Sequence, residues 1–204
     1  MQNNPKISIV LPIHGMANGA FFLWRAINSI MEQTFKNYEI IITKEGSMPV
    51  NTNVGIKRAR GQLIKILYLD DMLAHENALQ DIVDNFEFSD EWMITGCDTN
   101  PHPYWTDDIK TGNNKLGSPS CLILRNKEPL LFDERMSWLL DCDLYHRLHE
   151  LYGEPKILEG VHILMGVGDH QMTRILTDEE KLAEHKLIKE KYELEEKIKY
   201  VHTN

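Results

Sequence analysis

Residues 38–71 have the sequence YEIIITKEGSMPVNTNVGIKRARGQLIKILYLDD. The apolar, β-branched run Tyr38–Thr43 predicts a buried strand, and Leu63–Leu69 predicts another. Between them, Asn53–Arg60 predicts a short helix. A strand, a helix and a second strand in this order are typical of a parallel β-α-β unit. The second strand ends at two consecutive carboxylates, the pair Asp70-Asp71.

The same alternation continues on both sides of this unit. Ile7–Leu11 predicts a buried strand, and apolar residues then recur at helical spacing up to about Thr34. After the aspartate pair, apolar residues between Leu79 and Phe86 predict a helix and Trp92–Cys97 a strand. This order predicts an α/β fold, a Rossmann-type, mostly parallel sheet flanked by helices on both faces.

Polar groups follow three of the predicted strands. In parallel sheets the ligand crevice lies beyond the carboxyl ends of the strands. The three groups at those ends are Pro12-Ile13-His14, Lys44-Glu45-Gly46-Ser47 and Asp70-Asp71. The sequence therefore predicts a single ligand crevice lined by these groups.

The second half of the chain has weaker patterns. Residues 98–115 are polar and without a clear period, which predicts a long loop, and long loops in compact domains are often functional. Strands are predicted at Ser120–Arg125 and Lys156–Met165, with a helix over Asp141–Tyr152 between them. Tyr104 and Trp105, within the long loop, are candidates to stack on an acceptor sugar or to fix the loop to the core.

The last segment predicts a charged helix. Thr177 and Glu180 form a capping-box pattern at its start, and it extends to about Tyr200. An apolar stripe on this helix could pack on the core or on another copy of the chain, which leaves a homo-oligomer open. The stripe consists of Leu187, Leu194, Ile198 and Val201.

Composition narrows the classes of function. The chain has 204 residues, enough for one sizeable core, and a formal charge of −9, which disfavours nucleic acid as a partner. Its three cysteines are widely and irregularly spaced, which fits a reducing compartment. No apolar run approaches the length of a membrane span, and the short run after the N-terminus is too short for a signal segment. We therefore expect a cytoplasmic protein without a transmembrane segment.

Asp70-Asp71 is the sharpest candidate for chemistry. Two carboxylates at a strand end create a strong local negative potential, which a hard cation such as Mg²⁺ or Mn²⁺ would relieve. The alternative is that one aspartate caps the following helix and the other is solvated. The pair alone does not separate these readings.

Several motifs together resemble the family 2 glycosyltransferases, which have the GT-A fold, use nucleotide-sugar donors and invert the anomeric centre. The resemblance covers roughly Lys6 to Arg174. In the first half it rests on the opening strand and on the segment 32–42 (EQTFKNYEIII). It also rests on three motifs after that segment: Glu45-Gly46-Ser47, Asn53-Val54-Gly55-Ile56 with Ala59-Arg60-Gly61, and Tyr68-Leu69-Asp70 at the DXD position. In the second half it rests on Gly117-Ser118-Pro119-Ser120, Phe132-Asp133-Glu134, Trp138–Leu144 and Arg147-Leu148.

The resemblance implies specific roles for individual residues. Asp141 matches the catalytic base, and Asp70 matches the ligand of a divalent metal, Mn²⁺ or Mg²⁺. A histidine near the C-terminus, here His170, also reaches the metal in some GT-A enzymes, although a loop histidine bonded to backbone is the alternative. The residues assigned to the donor nucleotide are Pro12, His14, Glu45, Asn53, Asp70 and Asp71. The acceptor, a glycan or another hydroxyl compound, is not specified.

The chain departs from the family pattern at four positions. Lys44 and Glu45 replace the two Asp residues of the DDGS turn, Tyr68 replaces the first Asp of DXD, and Leu140 replaces the Glu beside the base. These changes motivate a second hypothesis, a catalytically degenerate domain that binds a nucleotide sugar or a glycan. A nucleotidyltransferase and a structural partner domain are further alternatives, although no phosphate-binding P-loop or GxGxxG motif is present.

The predicted organisation is a single compact domain with one appended helix. Residues 1–176 form the GT-A-like domain, in which 1–97 are the nucleotide-sugar half and 98–176 the acceptor half. Residues 177–204 contain the charged C-terminal helix.

Overall fold

A computed structural model of the chain describes residues 4–202, with side chains described for residues 4–193. In the first half, strands and helices alternate as predicted. The elements are β1 (Ile7–Pro12), α1 (Gly19–Met31), β2 (Tyr38–Thr43), α2 (Met48–Arg58), β3 (Leu63–Ile66), β4 (Met72–Leu73), α3 (Ala78–Asn85) and β5 (Trp92–Cys97).

The second half has fewer regular elements. Its long loop contains a 3₁₀ turn at Asp107–Thr111, and another 3₁₀ turn, Pro119–Cys121, precedes the next strand. The remaining elements are β6 (Leu122–Arg125), α4 (Leu140–Tyr152), β7 (Lys156–Leu164), α5 (Met172–Ile175) and α6 (Asp178–His202).

The seven strands form one mixed sheet in the order β2-β1-β3-β6-β5-β7-β4. β1 pairs in parallel with β2 and β3, as the β-α-β pattern predicts, and β5 pairs in parallel with β7. β6 runs antiparallel to both of its neighbours, and β4 runs antiparallel to β7. The fold class is therefore confirmed, with two reversed strands in the acceptor-side part of the sheet.

The central strands are apolar on both faces because helices cover both. All six residues of β1 and all six of β5 are buried. The core extends from these strands through α1, α3 and α4 to Ile188 and Tyr192 of α6. A continuous core of this kind explains why the strands have no alternating polar face.

The start of α2 and the end of β3 differ from the sequence prediction. α2 begins at Met48 rather than at Asn53, because Pro49 lies in its first turn, where a fixed φ and a missing N–H cost nothing. β3 ends at Ile66 rather than at Leu69, because the chain turns there: Tyr68 N–H donates to Ser120 Oγ at 2.8 Å and Asp71 N–H to the Tyr68 carbonyl at 3.0 Å. The two-residue strand β4 that follows was too short to predict.

The C-terminal helix packs on the domain. Its capping box is confirmed: Glu180 N–H donates to Thr177 Oγ1 at 3.2 Å, and Thr177 N–H donates to Glu180 Oε2 at 2.8 Å. Leu187, the first member of the apolar stripe, packs against the core. The other three members, Leu194, Ile198 and Val201, lie outside the residues whose side chains are described, so the homo-oligomer stays a prediction.

Candidate active site

A cavity of about 310 Å³ opens at the carboxyl ends of β1 and β3. It brings together six of the residues predicted from sequence, which are Pro12, His14, Asp70, Asp71, Asp141 and His170. Residues of both predicted halves therefore line one cavity, as the position of the strand ends requires.

Asp70 and His170 are in direct contact in this cavity. His170 Nε2 lies 2.9 Å from Asp70 Oδ2, and both side chains are about one fifth exposed. The loop after β7 carries His170 to this position, where the ring of Phe22 packs against it with 5.1 Å between the centroids. The 2.9 Å separation is that of a hydrogen bond. A carboxylate and an imidazole are also ligand types that a divalent cation such as Mn²⁺ accepts, so the pair could bind one after a small movement.

Asp71 has a different environment from its neighbour. Its side chain is almost fully buried, and Oδ1 accepts a hydrogen bond from Gly166 N–H at 2.8 Å. Burial, together with the adjacent Asp70 carboxylate, raises the pKa of Asp71 to about 7. Position 166 has room only for glycine, because a Cβ there would lie 2.5 Å from Asp70 Cβ. The hydrogen bond from Gly166 to Asp71 therefore fixes the loop that carries His170. Asp71 also lines the cavity.

Lys65, in the middle of β3, lies beneath the aspartate pair. Its side chain is fully buried, and Nζ donates to the carbonyls of Ile66, at 3.1 Å, and Ser120. Burial lowers the pKa of Lys65 to about 8, while Asp71 and two cysteines oppose that shift. The apolar pattern of the strand gave no indication of a role for this lysine near the site.

Asp141 lies in the first turn of α4 and faces the cavity from the opposite half. Oδ2 accepts a hydrogen bond from Asn114 Nδ2 at 2.7 Å, and Oδ1 accepts one from Cys142 N–H at 2.8 Å. Burial raises the pKa of Asp141, and these two hydrogen bonds act in the opposite direction. A buried carboxylate with a raised pKa is suited to accept a proton from a substrate hydroxyl.

Asn114 was not identified from the sequence. It lies in the long loop, and its own Oδ1 accepts hydrogen bonds from Leu116 N–H at 2.7 Å and Gly117 N–H at 3.1 Å. The loop thereby orders the amide that contacts Asp141. A lone asparagine in a polar loop carries no signal of such a contact.

Tyr68 stands at the DXD position that lacks its first aspartate, and it lines the cavity. Its hydroxyl is buried and has no hydrogen-bond partner among the described residues. Burial raises the pKa of Tyr68, and the carboxylates of Asp141, Asp71 and Asp70 add to this effect. The phenol is therefore a neutral group placed among three carboxylates.

Four predicted residues lie outside the cavity. Glu45 is paired with Arg58 at 2.7 Å on the surface. Asn53 is buried and makes hydrogen bonds to Phe132 N–H, at 2.9 Å, and to the Phe132 carbonyl, at 3.0 Å, so it joins α2 to the second half. Tyr104 is exposed. Trp105 stacks on His149 of α4 with 3.9 Å between ring centroids and 9° between ring planes. This contact is the one expected if Trp105 fixes the long loop to the core.

Trp138, the first residue of the motif Trp138–Leu144, also lines the cavity, a position that the motif did not predict. Its Nε1–H donates to Thr173 Oγ1 at 3.2 Å. Glu184 of α6 holds the segment before α4, because its carboxylate accepts from the backbone N–H groups of Ser137, Trp138 and Leu139 at 2.7–2.9 Å. The C-terminal helix thus supports one wall of the cavity.

Comparison with known proteins gave partial sequence matches. No family model matches the chain. An uncharacterised glycosyltransferase of Rickettsia conorii is 34% identical over 65 residues, which is 32% of this chain and 10% of that protein. One of Rickettsia prowazekii is 34% identical over 68 residues, 33% of this chain and 20% of that protein. The matches therefore span between a tenth and a fifth of these relatives' length.

Solved structures match over most of the chain. Staphylococcus aureus TarS residues 1–349, in complex with UDP-GlcNAc, superposes with a TM-score of 0.64 at 13% identity, covering 90% of this chain and 65% of that one. The mannosyltransferase PcManGT of Pyrobaculum calidifontis, in complex with GDP-Man and Mn²⁺, gives 0.56 at 9% identity, covering 83% and 59%.

The chain has a GT-A-like glycosyltransferase fold. The resemblance to glycosyltransferases is confirmed, and membership of family 2 in particular stays a prediction. Among the described residues, no helix of this GT-A-like domain is long and apolar enough to span a bilayer.

Proposed function

We propose that this GT-A-like domain transfers a sugar from a nucleotide-sugar donor to an acceptor hydroxyl. The observation that supports it best is the arrangement of the cavity. The contacting pair Asp70 and His170 lines it together with Asp141, and these are the residues that the resemblance assigns to the metal and to the base. UDP-GlcNAc and GDP-mannose, bound by the structural neighbours, are the first donors to test.

In the proposed reaction, Asp141 accepts the proton of the acceptor hydroxyl while that oxygen attacks the anomeric carbon. The new carbon–oxygen bond forms as the bond from the anomeric carbon to the diphosphate breaks, and the nucleoside diphosphate leaves. Attack and departure on opposite faces invert the anomeric centre. Asn114 holds the Asp141 carboxylate in place through the 2.7 Å hydrogen bond.

A divalent metal, Mn²⁺ or Mg²⁺, would be held by Asp70 and His170 and would neutralise negative charge on the leaving diphosphate. Pro12 and His14 line the same side of the cavity and are placed to contact the donor. Asp71 contributes by fixing Gly166 and the loop that carries His170.

Donor-dependent stabilisation tests this proposal. We would measure the melting temperature with UDP-GlcNAc and GDP-mannose, each with and without Mn²⁺, and then assay transfer with Asp141→Asn as control. A ligand that binds only the folded state raises the melting temperature by mass action. A shift that requires both donor and metal, followed by product formation that Asp141→Asn abolishes, is the expected result.

The degenerate binding domain remains the second candidate because Tyr68 places a phenol where the family has a carboxylate. It predicts the same donor-dependent shift without product. It also predicts that Asp141→Asn leaves all measured properties unchanged. Absence of a shift with either donor would count against the transferase and favour a degenerate glycan-binding domain or a structural partner domain.

A further inference from the structure

Three side chains outside the cavity converge between α3 and β7. His75 follows β4, Asp81 lies in the first turn of α3, and His162 belongs to β7. One potential ligand atom from each lies within 4.8 Å of the other two. Asp81 Oδ2 is 3.5 Å from His162 Nε2 and 3.9 Å from His75 Nε2.

These separations suit ligands of a metal ion better than partners in a hydrogen bond. Around a tetrahedral zinc ion with bonds of about 2.0–2.2 Å, neighbouring ligand atoms are roughly 3.3–3.6 Å apart. Hydrogen bonds between nitrogen and oxygen are shorter, about 2.7–3.2 Å. The 3.5 Å distance from Asp81 Oδ2 to His162 Nε2 falls in the first range, and the 3.9 Å distance to His75 Nε2 lies a few tenths of an ångström beyond it.

The environment keeps His162 in the form that binds metals. Its side chain is 5% exposed, and burial, with His75 nearby, lowers its pKa, so the imidazole is neutral. His75 and Asp81 are each about 40% exposed. Water therefore reaches one side of the cluster and can complete a four-coordinate shell.

The backbone around the cluster is already fixed. Gln33, at the end of α1, is buried; its Nε2 donates to the His75 carbonyl at 2.8 Å and its Oε1 accepts from Leu79 N–H at 2.9 Å. Ala74 N–H donates to the His162 carbonyl at 2.9 Å. Because these bonds already fix the segments that carry the three ligands, little further ordering opposes binding.

We propose that His75, Asp81 and His162 form a zinc-binding site with water as the fourth ligand, the open arrangement of three protein ligands and one water. Two imidazoles and one carboxylate are a typical zinc ligand set. The ion would link the segment after β4, helix α3 and strand β7. β4 and β7 pair along this edge of the sheet, and at the other end of the pair Asp71 contacts Gly166. The site would therefore stabilise the edge that supports the cavity, without contacting substrate.

Zinc binding to the full, tag-free chain tests this proposal. After chelation and dialysis, the protein is titrated with Zn²⁺ by calorimetry and its melting temperature is followed. The absorption spectrum with Co²⁺ reports the ligand set. We expect one ion per chain besides any ion held by Asp70 and His170, a raised melting temperature, and an affinity for that ion that His75→Ala and Asp81→Asn each lower by more than about 100-fold. That loss exceeds the 10- to 100-fold typical of groups behind the ligands.

Two control variants separate this site from other histidines. His102→Ala changes an exposed histidine paired with Glu159 at 3.5 Å, and the affinity should stay unchanged. The double variant Asp70→Asn, His170→Gln removes the pair in the cavity, and one zinc ion should still bind. Both His75 and Asp81 are partly exposed, so their variants should fold, which circular dichroism verifies.

The proposal is overturned if the wild-type chain binds no zinc, or if His75→Ala and Asp81→Asn bind it as tightly as the wild type. Loss of binding in the Asp70→Asn, His170→Gln variant alone would assign the zinc to the cavity and would equally overturn it. Because these readouts involve no sugar transfer, they are independent of the proposed function.

Discussion

The predicted donor half, residues 1–97, supplies the cavity mainly from the ends of parallel strands, whereas the predicted acceptor half, residues 98–176, supplies it from loops, the start of α4 and the short helix α5. Asp70 lies in the turn between β3 and β4, and its carboxylate contacts His170 at 2.9 Å. Asp141 is held by a loop amide and by its own helix. Burial raises the pKa of Asp141, which suits a group that accepts a proton, whereas Asp70 lies beside an imidazole, which suits a group that shares a metal ion.

Asp141→Asn should have the largest effect of any single change. An amide cannot accept the proton of the acceptor hydroxyl, and general-base catalysis contributes about 10²–10⁴-fold in rate. We therefore expect transfer to fall by about that factor in initial-rate assays, while the donor-induced rise in melting temperature is retained. The matched control is Asp178→Asn, which changes an exposed aspartate in the first turn of α6. Equal loss in both variants would show that the effect is not specific to the cavity.

Asp70→Asn tests the proposed metal ligand in the predicted donor half. It removes a charged ligand, and metal neutralisation of a leaving group is worth several kcal/mol, so transfer should fall by roughly 100-fold. Unlike Asp141→Asn, it should also abolish the Mn²⁺-dependent part of donor stabilisation, measured by thermal shift. Asp84→Asn, an exposed aspartate on α3, is the control. Donor stabilisation that stays unchanged without Asp70 would contradict its role as a metal ligand.

The two halves also differ in how much the sequence revealed. In the first half the strands are continuous apolar runs and each connection is short, so local pattern determines both the elements and the residues at their ends. Asp70 and His14 could be placed in the cavity for this reason. Glu45 and Asn53 were misplaced relative to it, since a strand-end position does not indicate whether a side chain pairs with Arg58 or bonds to Phe132.

In the second half the important contacts join residues that are distant in sequence. Asn114 reaches Asp141 across 27 positions, and Glu184 reaches the segment before α4 across more than 40. The His75, Asp81 and His162 cluster depends on the pairing of β4 with β7, and β4 is two residues long. Neither propensity nor hydrophobic period contains information on these contacts, so they could only be read from the structure.

Glu184→Ala tests how far the acceptor half depends on the C-terminal helix. The change leaves three backbone N–H groups without their charged acceptor, and such hydrogen bonds contribute about 1.5–3 kcal/mol. With partial replacement by water we expect a loss of about 2 kcal/mol in the free energy of unfolding. This corresponds to roughly 4–8 °C in melting temperature for a chain of this size. Glu190→Ala, an exposed residue of the same helix, should change it by less than about 1 °C.

Asn114→Ala should produce the smallest of these effects and the most informative one. The amide donates to the ionised form of Asp141 and so opposes the rise in pKa that burial causes. Without it the pKa of Asp141 rises further, and the base is deprotonated only at higher pH. We expect transfer near neutral pH to fall by about tenfold, as one lost hydrogen bond to a charged group predicts.

The pH–rate profile distinguishes this electrostatic role from loss of loop structure. If Asn114 acts on Asp141, the acidic limb of the profile moves to higher pH in Asn114→Ala, and activity recovers towards the wild-type value above it. If the loop alone is disturbed, activity falls equally at every pH and the limb does not move. In the first case the acceptor half tunes its base through a loop residue, and in the second Asp141 depends only on burial and on the N–H of Cys142.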